Sequence, residues 1–344
     1  YKSIKIIKND GFKTFLKLSK HKLQKKRKVI ATNQLETIYK TILERYQRQE
    51  INGVSVIPSA FPFDELYNQR TINLAKYLSK KNHVSLFVVW QWTTEEVIES
   101  AFKEVYHNVF VIPMYAFFDS LYLLKSIAEI KQKYAIFNIP STQYNNITAD
   151  LRSNNFTIIY DIMDEWEEFF KVGQASWYSR REEERLILAA DIITAVSRPL
   201  IDKFNFLRND IVLIGNGYDK ELLGPAYISR NGTANDNVIH VGYFGHLTES
   251  WFDWELVFKI LENKSIILHI IGYGANKETL IRLKKFQNAN YHGKVQPSLL
   301  RDYVKNWNVG IIPFKDSSLS QAVDPIKIYE YLYYGLPTVV TGID

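Results

Sequence analysis

The chain has 344 residues, 46% hydrophobic and 14% aromatic, which is enough for two domains with full cores and unlike a disordered chain. It has no Cys, which excludes disulfides, thiolate metal sites and cysteine nucleophiles, and its seven His show no ligand spacing, so no metal is expected. The net charge of +6 is uneven: residues 1–28 hold eleven Lys or Arg against Asp10, a balance of +10 that leaves −4 for the rest. Basicity is thus a tail property, and no nucleic-acid partner is expected.

Residues 1–28 set those lysines among Ile4, Ile7, Phe12, Phe15, Leu16 and Leu23. This basic amphipathic pattern has two readings, a helix lying on an anionic membrane surface or a linker whose lysines are merely solvated. Residues 33–50 read as a second, polar helix. The opening Tyr1 points to residues, or a whole domain, preceding this extension (residues 1–50). No run approaches the ~18–20 apolar residues that cross a bilayer. The expected location is the cytoplasm, at the inner face of the cell membrane if the tail binds lipid.

From Gly53 the pattern becomes short apolar runs alternating with helical stretches. Strands are expected at Val54–Ile57, Val84–Trp90, Val109–Ile112, Tyr134–Asn138, Thr157–Ile162, Ile192–Val196 and Ile211–Ile214, with a helix over Gln69–Leu78. Such alternation predicts βαβ units and a parallel sheet, making residues 51–220 one α/β domain. Gly, Asn, Ser and Pro crowd the following stretch, so 221–237 reads as a linker. The pattern restarts in residues 238–344: strands at Val238–Phe244, Ile266–Ile271 and Val309–Pro313, and helices at Trp254–Glu262, Lys277–Phe286 and Ser298–Lys305. This second α/β domain stops just after a strand, and more of it is expected beyond Asp344.

That last segment is the most informative. Asp324-Pro325-Ile326-Lys327-Ile328-Tyr329-Glu330 reads as a loop entering a helix, Gly335 as its stop, and Thr338-Val339-Val340 as a strand. Lys327 and Glu330, three apart, project from one helix face. A helix N-terminus carrying a lysine suits an anion, and a glutamate one turn on can accept paired hydroxyls. The plain alternative is a capped surface helix with an i,i+3 ion pair.

The run Pro325-x-Lys327-x-x-Glu330-Tyr331-Leu332, followed by Gly335-x-Pro337-x-Val339-Val340, resembles the donor-binding segment of GT-B glycosyltransferases. The likeness is to retaining, family-4-like bacterial enzymes of surface or capsular polysaccharide synthesis. Other pieces follow in the family's order. Thr157 to Asp164 resembles its strand end with "Tyr-Asp, two residues, Asp", Asp191 to Ser197 its "Ala-Asp, strand, Ser", and Ile214 to Asp219 its "Asn-Gly-Val-Asp". Tyr243-Phe244-Gly245-His246 stands at its first glycine loop. The resemblance covers about residues 53–344 and implies two doubly wound Rossmann-like domains facing a cleft.

It further implies a nucleotide-sugar donor, UDP-linked first with GDP or dTDP as alternatives, and a glycan or lipid-linked saccharide acceptor, with no further cofactor and no metal. Donor-site residues would be Lys327, Glu330, Gly245, His246, Gly272, Tyr273, Gly274, Val295, Asp324, Pro325 and Ile326. Asp161 and Asp164 are the candidate catalytic carboxylates, because the end of a parallel strand points at the ligand crevice. Asp164-x-x-Glu167 reads first as a helix cap with its reciprocal glutamate, and Glu165, Glu167 and Glu168 as a solvated helix start. Ile271-Gly272-Tyr273-Gly274 lacks the third glycine of a dinucleotide fingerprint. One departure stands out: Ala322 occupies the place of the family's first glutamate, which leaves the donor sugar undefined. The rival readings are a GT-B sugar-nucleotide epimerase and a non-catalytic glycan or membrane scaffold.

Overall fold

A computed structural model describes residues 28–226 and 238–341. The membrane-helix or linker reading of residues 1–27, and residues 227–237 of the expected linker, lie outside the described residues. Those described form two compact units. One gathers residues up to Phe63, Ala75–Ile139 and Asn146–Ile158, the other Asp64–Leu74, Pro140–Asn145 and the residues from Ile159 on.

In the first unit a helix over residues 28–47 buries Leu35, Ile38, Tyr39 and Ile42, an i, i+3, i+4, i+7 stripe. Its strands are β1 (Gly53–Ser59), β2 (His83–Val89), β3 (Glu104–Tyr106), β4 (Val109–Pro113) and β5 (Gln132–Phe137), in the order β3-β4-β2-β1-β5. Every residue of β1, β2 and β4 is buried, as expected of parallel strands covered on both faces. The short edge strand β3, antiparallel to β4, was not expected from the sequence, having only three residues to show a period.

Strand β6 (Thr157–Ile162) leads into the second unit, where it pairs in parallel with β7 (Ile192–Ala195), and β7 with β8 (Val212–Leu213). A separate, wholly parallel sheet follows from β9 (Ile239–His246), β10 (Ile266–Tyr273), β11 (Ala289–Gly293), β12 (Val309–Ile312) and β13 (Thr338–Val340). Its order is β11-β10-β9-β12-β13. Trp307 is buried at its centre against Gly242, where a Cβ would sit 2.0 Å from the indole. Any larger residue at 242 would displace that ring.

One local expectation needs correction. The helix Trp166–Lys171 has Glu165, not Asp164, at its N-cap position, and no side chain caps it. Asp164 contributes instead its backbone carbonyl, which accepts from the Trp166 N–H at 3.1 Å. Glu165 is not part of a solvated helix start either: it is buried and paired with Lys203, which also reaches Glu167 at 3.3 Å. Spacing alone does not register a lysine 38 positions away.

Candidate active site

The helix Ile326–Tyr333 is built for two tasks at its two ends. Pro325 holds the entering chain extended at φ −68° and ψ 118°. At the exit Gly335 turns left-handed at φ 63°, and the Leu336 N–H closes back on the Tyr331 carbonyl at 2.8 Å. This is a Schellman ending, which satisfies the last carbonyls. Tyr331 and Tyr334 are buried in the core of the five-stranded sheet, and the Tyr334 hydroxyl donates to the Leu223 carbonyl at 3.1 Å.

With its C-terminal end fixed in this way, the helix carries Lys327 and Glu330 into a cavity of about 510 Å³. Glu330 is buried and accepts a 2.6 Å hydrogen bond from the Asn68 amide, itself steadied by a 2.6 Å bond from Asn73. Burial pushes the Glu330 carboxyl up, against the opposing pull of Asn68 and Lys327. The half-buried Lys327 ammonium is pushed down by the same burial, with Glu330 opposing. Among the described residues Lys327 makes no hydrogen bond or ion pair; its Nζ lies 5.8 Å from the centroid of the Tyr243 ring. The result is a cation beside a hydrogen-bond acceptor in a concave site, which fits a ligand with an anionic part and hydroxyls.

Two glycine turns complete the wall. Gly245 has φ 146°, and a Cβ there would lie 2.0 Å from Lys327 Cε, so its bareness makes room for the lysine. Gly272, at φ 151°, comes so near Gly245 that a Cβ would lie 1.9 Å from the Gly245 carbonyl oxygen. His246, Tyr273 and Val295 line the same cavity. The His246 ring meets Tyr273 edge-on at 4.9 Å, and burial and then Lys327 push its imidazole down. Lys294, which was not singled out from the sequence, lies across Tyr67 and Tyr273, 5.1 and 5.3 Å from their ring centroids. Gly274 packs instead against the His246 ring, and Asp324, Pro325 and Ile326 do not line the cavity.

The two candidate carboxylates differ. Asp161, at the end of β6, is buried and gripped by Arg70 through two bonds of 2.7 Å, and Thr194 donates a third at 2.6 Å. Asp164 makes no side-chain hydrogen bond or ion pair with described residues, and burial lifts its carboxyl from 3.8 to about 7, Arg70 opposing and Glu165 adding. Among the described residues no group of three or more His, Cys, Asp or Glu is placed to hold a metal ion. No helix among them is long and apolar enough to cross a membrane.

Solved structures share this architecture. A lipopolysaccharide outer core galactosyltransferase, WaaB, aligns with a TM-score of 0.57 over 84% of this chain and 80% of its own, at 12% identity. HepE of Anabaena, in complex with UDP and glucose, gives 0.55 over 84% and 80% at 15% identity. The catalytic domain of starch synthase IV from Arabidopsis thaliana, bound to ADP and acarbose, gives 0.56 over 84% and 82% at 12% identity. The fold is GT-B, two parallel-sheet α/β domains, as the sequence motifs led one to expect. No family model matches the chain. A curated Bacillus subtilis (strain 168) protein named as a teichuronic acid biosynthesis glycosyltransferase, TuaH, is 26% identical over 211 residues. That match spans 54% of this chain and about half (50%) of the relative.

Proposed function

We propose that the chain is a glycosyltransferase that moves a sugar from a nucleotide-diphosphate donor to a glycan or lipid-linked acceptor in bacterial surface polysaccharide synthesis. The observation that carries this reading is the pairing of an unpartnered Lys327 with a buried Glu330 in one cavity. The name of the Bacillus subtilis relative and the UDP and ADP bound to structural neighbours support it. UDP is the nucleotide of choice, with GDP or dTDP as alternatives.

In this reading Lys327 faces the diphosphate. Negative charge that builds on the leaving phosphate is met by a fixed ammonium in a site partly closed to water, where it acts more strongly than in bulk. Binding of the anion also opposes the downward push that burial exerts on the Lys327 ammonium. Glu330 accepts from the ribose hydroxyls. Transfer with retention and without a metal ion is part of the proposal and rests on the motif around Lys327. Asp164, a carboxyl poised near neutrality, takes the acceptor-side role of exchanging a proton with a sugar hydroxyl. Asp161 belongs to the framework beneath it. The test is calorimetry against UDP, GDP and dTDP. Saturable, selective binding is expected, and absence of binding to all three would sink the proposal.

A further inference from the structure

We propose that Arg70 is the positioning residue of this site, setting where the helix Ile326–Tyr333 presents Lys327 and Glu330. The inference rests on the donor-site reading of that helix. A guanidinium has five N–H donors in a rigid fork, and here all of them are engaged. Nε and Nη2 hold the Asp161 carboxylate at 2.7 Å each. The remaining donors go to a single short segment: the Ile214 carbonyl at 3.0 Å, the Gly215 carbonyl at 2.9 Å and the Asn216 side-chain oxygen at 3.1 Å.

That segment is what reaches the helix. Asn216 donates its backbone N–H to the Asp324 carboxylate and its side-chain amide to the Asp324 carbonyl, the latter at 2.6 Å. The Tyr329 hydroxyl, one turn into the helix, donates to the same carboxylate at 2.9 Å. A Cβ on Gly215 would lie 3.0 Å from the Asp324 carboxylate, so the approach of the two segments is tight. The N-terminal end of the helix has no side-chain cap of its own. Its placement comes through this relay, while Tyr331 and Tyr334 fix the other end. Arg70 touches none of the cavity; it acts through Asn216 and Asp324.

The test pairs amide exchange with calorimetry against UDP on the full chain, for Asn216→Ala, Asp324→Asn and Arg70→Lys. Asn216→Ala is the mild variant, leaving the Arg70–Asp161 pair intact should Arg70 substitutions fail to fold. Each variant should exchange faster across residues 326–333 while 239–246 stays protected, and should bind UDP about tenfold more weakly, with little change in melting temperature for Asn216→Ala and Asp324→Asn. The Arg70→Lys/Asn216→Ala double variant should be no worse than the weaker-binding single, since both break one chain of contacts. Lysine keeps the charge but not the fork, so full recovery in Arg70→Lys would overturn the proposal. So would unchanged exchange across 326–333, or unchanged UDP affinity where exchange has risen. If the wild type binds no nucleotide, the donor reading falls, and the exchange result alone still decides the role of Arg70.

Discussion

Two cations in the second unit make opposite use of partial burial. Arg70 spends every donor on protein acceptors. Lys327 has no such partner among the described residues, although burial already pushes its ammonium down. Partial desolvation of a charge costs free energy unless hydrogen bonds or an opposite charge compensate it. Arg70 is compensated within the fold and so reads as framework. Lys327 has, among the described residues, only a neighbouring glutamate to oppose that burial, which is the ground for proposing it as a ligand-binding residue. The same rule separates Asp161, whose carboxylate is held by Arg70 and Thr194, from Asp164 three residues on.

Breaking the framework cation should have the largest effect. Arg70→Ala leaves the buried Asp161 carboxylate without its ion pair, and we expect a loss of about 3–5 kcal/mol in denaturant unfolding. A loss below about 1 kcal/mol would move Arg70 out of the framework. Lys327→Ala should do the reverse, leaving stability little changed while weakening UDP binding by about 1.5–3 kcal/mol, as for a hydrogen bond to a charged group. Glu330→Ala should weaken the same binding by about 1–3 kcal/mol through unpaired ribose hydroxyls, and equal affinity would return the helix to a purely structural role.

Smaller effects should appear in pH dependence. UDP affinity should fall on the alkaline side at a pH below the ordinary lysine value of 10.5, because burial depresses the Lys327 ammonium. Stability should show opposed contributions. Folded Asp164 holds its proton up to about 7, above its ordinary 3.8, so its contribution is full at low pH and lost as pH rises through about 7. His269 is pushed down to about 4 by burial and then by His240 and His292. Its contribution is present above the ordinary 6.5 and is lost as pH falls from there to about 4. Burial also lifts the Glu183 carboxyl from 4.5 to about 7, in the same sense as Asp164, so His269 is isolated by comparing the wild type with His269→Asn. The stability advantage of the wild type over the variant should shrink as pH falls from 6.5 to 4, and a constant difference would contradict the sign assigned to His269.

Much of the fold was legible because it is written locally. Apolar runs placed β6 at its observed bounds, and Pro325 and Gly335 bracketed the site helix. The three-residue spacing put Lys327 and Glu330 on the same wall of one cavity. What escaped was written across distance. Asn68 meets Glu330 from 262 positions away, and Arg70 meets Asp161 from 91, so no window of sequence holds both partners. The same holds for His240, His269 and His292, scattered in sequence yet stacked across β9, β10 and β11 at centroid distances of 5.2 and 5.6 Å. Asp161 drew attention for its place at a strand end, and only its partners reveal that its oxygens are already engaged.

The contrast between the two cations comes to a single titration: UDP by calorimetry into the wild type and Lys327→Ala, with melting temperatures measured alongside. We predict saturable binding by the wild type, at least about tenfold weaker binding by the variant, and matching melting temperatures. Equal affinities in the two proteins, or no binding by the wild type, would contradict the assignment of Lys327 to a nucleotide-diphosphate site.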